Sequence, residues 1–259
     1  MAPQNTPRYT DLTDAISALR ELPLTFARGA SRGELFQLRE LLVDTEADIA
    51  PVLALFEDHD GFSNSGWPEM DERFASSYGT RFTLMPIGEV IETRRSLQQE
   101  WPQEPEEAAI FENLLPLWTD SANFMCFYLS GPLAGRLGYL WHEVPFFIQP
   151  LFRDIPALLS DLVREARTGE NAFDYPSNTP RPEWDDEDRA LTEHFLRLYQ
   201  STENALLQQN AGNNAIYLCP PQHLKLLQPL RESARNLDTY DYRALLRRLE
   251  KRENGEEME

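Results

Sequence analysis

The four histidines of this chain are the side chains best suited to proton transfer or metal binding near neutral pH. His142 stands in the triplet WHE, but no second histidine follows four residues later, as a zinc-protease helix requires. His194 is at helical spacing with Leu191 and Leu198, which is typical of the edge of an apolar helix face. His223 follows two prolines and has no acidic neighbour. These patterns predict no metal site and no catalytic site built on histidine.

Residues 58–61, DHDG, resemble the beginning of a calcium-binding loop. A complete loop needs a third acid and a closing glutamate at fixed positions, and both are missing here. The sequence also contains no nucleophile elbow, no phosphate-binding loop and no paired C-x-x-C. We therefore predict no catalytic residue, no metal and no cofactor, and a protein that is not an enzyme. One enzymatic alternative stays open, in which a pocket collects Asp120, His142 and Glu143.

Two cysteines, Cys126 and Cys219, each stand inside an apolar stretch. Because buried free cysteine behaves as a small apolar residue, we predict two reduced thiols and no disulfide. Residues 1–16 lack the apolar core of a signal peptide, and no apolar run approaches the length of a membrane span. The expected location is the cytoplasm.

Charge is the strongest feature of the composition, because 43 Asp and Glu residues outnumber 24 Lys and Arg residues and give a net charge of −19. A field of that sign repels the phosphates of nucleic acids and of anionic lipids, so we predict neither partner. It favours a partner with a basic surface. The alternative that the acidity serves only solubility stays open.

The sequence patterns that predict strands and helices are strongest between residues 114 and 167. Residues 124–129 and 137–141 are short apolar runs bounded by turn residues, which predicts two strands. Asp154 then precedes a stripe at helical spacing, which predicts a capped helix with Ile155, Leu158, Leu159, Leu162, Val163 and Ala166 inward. The predicted fold class is α+β, a mainly antiparallel sheet packed by helices. We expect the sheet to bury Trp118, Phe127, Tyr139 and Trp141.

Four segments are predicted along the chain. Residues 1–30 form an N-terminal helical segment, and residues 31–170 form the α+β domain. Residues 171–182 are rich in Pro, Asn and Ser, which is typical of a linker. Residues 183–259 form a helical C-terminal extension.

Local patterns predict several element boundaries. Ser31 and Glu34 form a capping-box pattern at the start of a helix, before the apolar residues Leu35, Leu38, Leu41 and Leu42. Residues 100–107, EWPQEPEE, are expected to form an acidic loop. In the extension, one long helix should carry the stripe Leu191, Phe195, Leu198, Ala205 and Leu206. Residues 212–214, GNN, should end that helix, and residues 215–219, AIYLC, should form a short strand.

Two stretches of the sequence together resemble SUKH domains, the Smi/Knr-related superfamily. IAPVLALFEDHDGF is similar to the helix ending in "hxG" that opens these domains. Downstream, LLPLWTDSANFMCFYLS, GRLGYLWHE and FRDIPALLSDLV are similar to a "PlfxD" strand entry, a "NyxcfdL" strand, a "GxVxxxxHE" strand and a helix beginning "sFxeFL". The resemblance covers roughly residues 31–167. Residues from 182 onward lie outside the family pattern.

The resemblance implies an α+β fold and a function that needs no catalytic residue. Bacterial members that this chain resembles are mostly immunity proteins, which bind and neutralise toxins in interbacterial competition. Fungal members act as regulatory scaffolds, and a non-catalytic scaffold or binding module is the alternative. An acidic binder suits a basic toxin, because opposite charges speed association.

Exposed acidic or aromatic residues are the expected contacts of such a binder. Two places qualify. The first is the loop after the third helix, which contains Asp58, Asp60, Phe62 and Trp67, and the second is the acidic connector, which contains Glu104, Glu106 and Glu107. The alternative for the two aromatic residues is that they pin the first loop to the core.

Overall fold

Helices pack around an antiparallel sheet in the computed structural model, so the predicted α+β class is confirmed. The structure describes residues 11–22, 24–63, 83–102, 105–120, 122–142, 148–168, 185–236 and 240–254. The predicted linker, residues 171–182, lies outside these ranges.

Three short helices begin the described chain, and local caps start two of them. Helix α1 (Leu12–Leu19) is capped by the Asp11 carboxylate, which accepts hydrogen bonds from the next turn. Helix α2 (Arg32–Leu41) begins with the predicted capping box of Ser31 and Glu34. Helix α3 (Ala50–Asp58) tolerates Pro51 because this proline lies in the first turn, where its missing N–H would have no partner.

The sheet is a meander in which, among the described residues, seven strands follow the chain order. They are β1 (Thr25–Phe26), β2 (Phe62–Ser63), β3 (Thr83–Leu84), β4 (Leu114–Thr119), β5 (Phe124–Tyr128), β6 (Leu137–Leu140) and β7 (Gln149–Phe152). The pairs from β1 to β5 are antiparallel. Trp118 on β4 lies opposite Leu84 on β3 and Met125 on β5. A register irregularity between Pro116 and Trp118 accommodates the proline, which cannot donate to a ladder.

Helices α4 (Ile87–Gln99), α5 (Pro105–Glu112) and α6 (Ile155–Thr168) complete this part of the structure. Helix α4 packs against β4 and α5, and α2 packs against α3 and α4. Helix α6 begins where the Asp154 carboxylate accepts a 2.8 Å hydrogen bond from the Ala157 N–H. It packs against α1, and its predicted apolar stripe is buried at Ile155, Leu158, Leu159, Leu162 and Val163.

The chain divides into two compact units. The first contains the described parts of Met1–Tyr139 and Phe152–Phe173, and the second contains those of Leu140–Leu151 and Asp174–Glu259. The boundary at residues 173 and 174 falls in the predicted linker. Among the described residues, 11–22 and 24–30 belong to the first unit, and 140–142 and 148–151 belong to the same unit as the C-terminal helices.

The second unit is helical over most of its described length, as predicted. It contains α7 (Asp185–Ser201), α8 (Ala205–Leu218), a 3-10 segment (Pro221–Leu227), α9 (Gln228–Asn236) and α10 (Tyr240–Asn254). Helix α7 packs against α8, and α10 packs against α8 and α9. Among the described helices, none is long and apolar enough to cross a membrane.

The predicted strand at residues 215–219 is wrong, and so is the predicted helix end at residues 212–214. The long predicted helix breaks earlier, where Asn204 caps α8 by accepting a hydrogen bond from the Leu207 N–H. Helix α8 then runs through residues 212–214 to Leu218. Every residue from 211 to 218 is buried, and Asn213 donates to the Ile148 carbonyl oxygen at 3.2 Å. Tertiary burial therefore overrides the local preference of glycine and asparagine for turns.

Burial of single residues follows the predictions only in part. Trp118 and Phe127 are buried, while Tyr139 and Trp141 are half-buried. Leu198 is exposed, so its place in the inward stripe of α7 was wrongly predicted. Cys126 and Cys219 are both free and buried, as expected, and desolvation raises the pKa of Cys219 to about 12.

Candidate protein-binding surfaces

The loop that follows α3, here the Asp58 loop (residues 58–62), is held by backbone contacts on both sides. The Asp60 N–H donates to the Arg28 carbonyl oxygen at 2.9 Å, and the Ala27 N–H donates to the Gly61 carbonyl oxygen at 3.0 Å. Gly61 has a φ of +103°, and a Cβ atom there would lie 3.1 Å from the Leu84 carbonyl oxygen. Glycine is therefore required at this turn, because an L side chain would be both strained and crowded.

Asp58 and His59 form a polar cluster with Arg20 from α1. The Arg20 guanidinium donates to Asp58 Oδ1 at 2.5 Å and, through Nε, to His59 Nε2 at 3.3 Å. His59 Nε2 also lies 2.9 Å from Asp58 Oδ2. The hydrogen bond from Arg20 requires an unprotonated Nε2, as in a neutral imidazole, whereas the 2.9 Å contact with the Asp58 carboxylate favours a protonated Nε2.

The environment of His59 favours that neutral form. The imidazole is buried, and its ring stacks obliquely on Phe26 with the ring centroids 4.4 Å apart. Desolvation lowers the pKa of His59 below its ordinary value of 6.5, and the Arg20 charge lowers it further. The Asp58 carboxylate and hydrogen bonds to the backbone of Ala27 and Asp58 oppose these effects without cancelling them.

A stability change with pH follows from this lowered pKa. In the unfolded chain, His59 takes up a proton as the pH falls through its ordinary pKa of 6.5, while the folded protein resists protonation. The contribution of His59 to folding is thus complete above that pH and is lost as the pH falls through the folded pKa. We expect the free energy of unfolding to decrease between about pH 7 and pH 5, and His59→Gln to flatten that part of the profile.

NMR titration of the imidazole provides the direct measurement. Arg20→Met should raise the His59 pKa towards 6.5 and should also flatten the pH profile, because one of the two causes of the lowered pKa is removed. A His59 pKa at or above 6.5 in the unmodified protein would contradict the prediction.

Asp60 has a structural role at the beginning of α4. Its Oδ1 atom accepts a 2.8 Å hydrogen bond from the Ile87 N–H, the first donor of that helix. Pro86, which precedes the helix, offers no side-chain cap. The half-buried Asp60 therefore supplies the cap from a distant point in the sequence, and its negative charge lies at the positive end of the helix dipole.

The prediction that Phe62 is an exposed contact residue is wrong. Its side chain is 5% exposed, and its ring packs against Phe26 with the centroids 5.6 Å apart. Phe62 lies on β2, where it pairs with both Phe26 and Leu84, so it pins the loop to the sheet. Trp67, the other aromatic residue predicted for this surface, lies outside the described residues.

The acidic connector is shorter than predicted, because α5 already begins at Pro105. Glu104 lies outside the described residues, and the structure describes only the backbone of Glu106. Glu107 is half-buried on α5. Of the three acids predicted as contacts in the connector, Glu107 is thus the one whose side chain is described.

No described contact joins Asp120, His142 and Glu143, the three residues of the possible enzymatic pocket. The Asp120 carboxylate closes its own turn, with Oδ1 accepting from the Asn123 N–H at 2.7 Å and Oδ2 accepting from Asn123 Nδ2 at 2.9 Å. His142 is exposed, and Glu143 lies outside the described ranges. Within those ranges, no three His, Cys, Asp or Glu side chains are grouped so that they could hold a metal ion.

Sequence reasoning missed a surface on the second half of α2 and the turn that follows it. Here the α2 ridge denotes Phe36, Glu40, Leu41, Val43 and Asp44. Phe36 is 62% exposed, Val43 is 68% exposed and Leu41 is 40% exposed. The inward face is formed by Leu38 and Leu42. The signal was the spacing of Phe36 and Leu38, because residues two positions apart on a helix are on nearly opposite sides.

Comparisons with known proteins do not assign this chain to a family. No family model matches it, and no curated protein matches it. Its function is therefore inferred from its own fold, charge and exposed side chains.

Proposed function

We propose that this protein is an immunity protein, which binds a cognate bacterial toxin with a basic surface and neutralises it by protein–protein contact. The observation that carries the proposal is the order of elements in the first part of the chain. The helix that resembles the "hxG" block is α3, which ends just before Gly61. The four later blocks correspond to β4, β5, β6 and α6 in that order.

The charge of the protein supports a basic partner. A net charge of −19 produces an attractive long-range field for a cationic protein and a repulsive field for nucleic acids. Such steering raises association rates and rejects partners of like charge. The exposed apolar residues of α2 add a surface of the kind that protein interfaces bury.

Co-expression with the protein encoded by the adjacent gene tests this proposal. We expect the neighbour to be toxic alone, to lose its toxicity when this protein is present, and to form a stoichiometric complex with it. The control is co-expression of the neighbour with an unrelated protein of similar net charge. Loss of toxicity in that control would show that negative charge alone neutralises the toxin. A complex that leaves the toxicity intact would favour a scaffold, and the absence of any complex would contradict the proposed function.

A further inference from the structure

We propose that the α2 ridge is the docking surface for a basic protein partner, an inference that rests on the proposed function and assigns its contact residues. Five large apolar side chains are exposed among the described residues, and three of them lie between Phe36 and Val43. Exposed apolar side chains that cluster on one element are typical of a surface that a partner covers.

The exposed apolar side chains of the ridge cannot be buried by a simple rotation of α2. Leu38 is completely buried on the side of α2 opposite Phe36, and Leu42, the residue that ends the helix, is buried as well. A rotation of α2 that buried Phe36 would expose the apolar side chain of Leu38 to water, which is unfavourable. The ridge is therefore a fixed feature of the folded chain, and an aromatic residue in such a position is a suitable anchor for a partner's pocket.

Charge defines the chemistry of the partner. Residues 40–48, ELLVDTEAD, contain four acids and no base. Glu46 accepts a hydrogen bond from the Gly131 N–H at 2.7 Å, and Asp48 accepts one from the Ala50 N–H at 3.0 Å, so both carboxylates stabilise the fold. Glu40 and Asp44 are exposed, and no described hydrogen bond or ion pair engages them. They lie beside the apolar stripe and attract lysine or arginine side chains around an apolar contact.

A second copy of this chain is a poorer occupant of the ridge. Each copy has a net charge of −19, so two copies repel each other at long range. Arg32 and Arg39 are exposed one turn before and after Phe36, so the acidic part of the ridge is Glu40 and Asp44 at its C-terminal end. A cationic protein meets no such repulsion.

The Asp58 loop is less suitable as the contact surface, because its charged groups are already used. Asp58 is paired with Arg20, Asp60 caps α4 and Phe62 is buried. A partner that bound these carboxylates would first have to break contacts that hold the fold. Glu40 and Asp44 of the α2 ridge are exposed acids close in sequence to exposed apolar residues, and no described hydrogen bond or ion pair engages them.

Two variants test the apolar and the acidic parts of the ridge separately. With the toxin of the adjacent gene as the probe, Phe36→Ala combined with Val43→Ala should weaken Kd roughly 10- to 100-fold, mainly through faster dissociation. Glu40→Lys combined with Asp44→Lys should slow association roughly 10-fold at low salt, and the difference should shrink at high salt. All four side chains are exposed, so circular dichroism and Tm should stay close to those of the unmodified protein.

Leu198→Ala combined with Leu207→Ala is the matched control, since both leucines are exposed and lie on α7 and α8. This variant should bind the toxin with unchanged Kd. If both ridge variants bind as tightly and as fast as the unmodified protein, the ridge is not the docking surface, although the proposed function survives. A dimer in sedimentation that Phe36→Ala and Val43→Ala convert to monomers would overturn the proposal in favour of self-association. Failure of the unmodified protein to bind the toxin would overturn the proposed function and the docking surface together.

Discussion

Replacing Trp118 by alanine should lower the free energy of unfolding by about 3–5 kcal/mol. The side chain is 0% exposed on β4, between Leu84 of β3 and Met125 of β5. Its removal loses buried apolar area and leaves a cavity that a paired sheet cannot collapse to fill. Because a domain is stable by only about 5–15 kcal/mol in total, this one change removes a large part of the stability. Urea denaturation, with the midpoint and slope both measured, gives the value.

Trp118→Phe separates the effect of packing from that of the indole N–H. The buried Nε1 atom has no hydrogen-bond partner, so phenylalanine removes an unsatisfied donor and still fills most of the space. We expect a loss clearly smaller than that of alanine. Phe36→Ala, at an exposed position, should change the stability by no more than about 0.5 kcal/mol. Equal losses for Trp118→Ala and Phe36→Ala would show that β4 is not part of the core.

Gly29→Ala should destabilise the protein by about 1–3 kcal/mol, towards the upper end of that range. A Cβ atom at this position would lie 2.1 Å from the Glu57 carbonyl oxygen, at the end of α3. The obstacle is backbone and cannot rotate away. The segment around Gly29 is also fixed on both sides, because the Ala30 N–H donates to the Phe56 carbonyl oxygen at 2.8 Å and Arg28 accepts from Asp60. Thermal and urea unfolding of the variant measure the loss.

Gly88→Ala is the matched control for the same chemical change. Gly88 lies in α4, and a Cβ atom there would meet nothing within 4 Å. Alanine restricts the unfolded chain and favours the helix, so this variant should gain about 0.4–1 kcal/mol. Opposite signs for the two glycines are the expected result. A neutral or stabilising Gly29→Ala would show that the backbone of residues 27–30 does not approach α3 so closely.

The sequence by itself determined the elements whose signals are local. The capping box of α2 and the Asp154 cap of α6 depend on residues within one turn, and the stripe of α6 repeats at the helical period. Short apolar runs between turn residues were enough to predict β5 and β6. The burial of Cys126 and Cys219 followed equally from their apolar neighbours.

Only the tertiary structure decided the roles of residues whose partners are distant in the chain. The residues next to Asp60 in the sequence do not show whether its carboxylate is a contact residue or a helix cap. The cap forms because the fold brings the Ile87 N–H to the carboxylate. The sequence around Phe62 is typical of a loop, but strand β2 pairs with β1 and β3, and this pairing buries the Phe62 side chain.

The same reason explains why residues 212–218 form a helix rather than a turn and a strand. Their burial and the bond from Asn213 to Ile148 are long-range contacts, which outweigh propensities of less than about 1 kcal/mol per residue. The exposed face of α2 was settled in this way too, because the neighbours that cover Leu38 and Leu42 leave Phe36 and Val43 uncovered. Local patterns thus determine which elements form, and contacts between distant residues determine which side chains remain available to a partner.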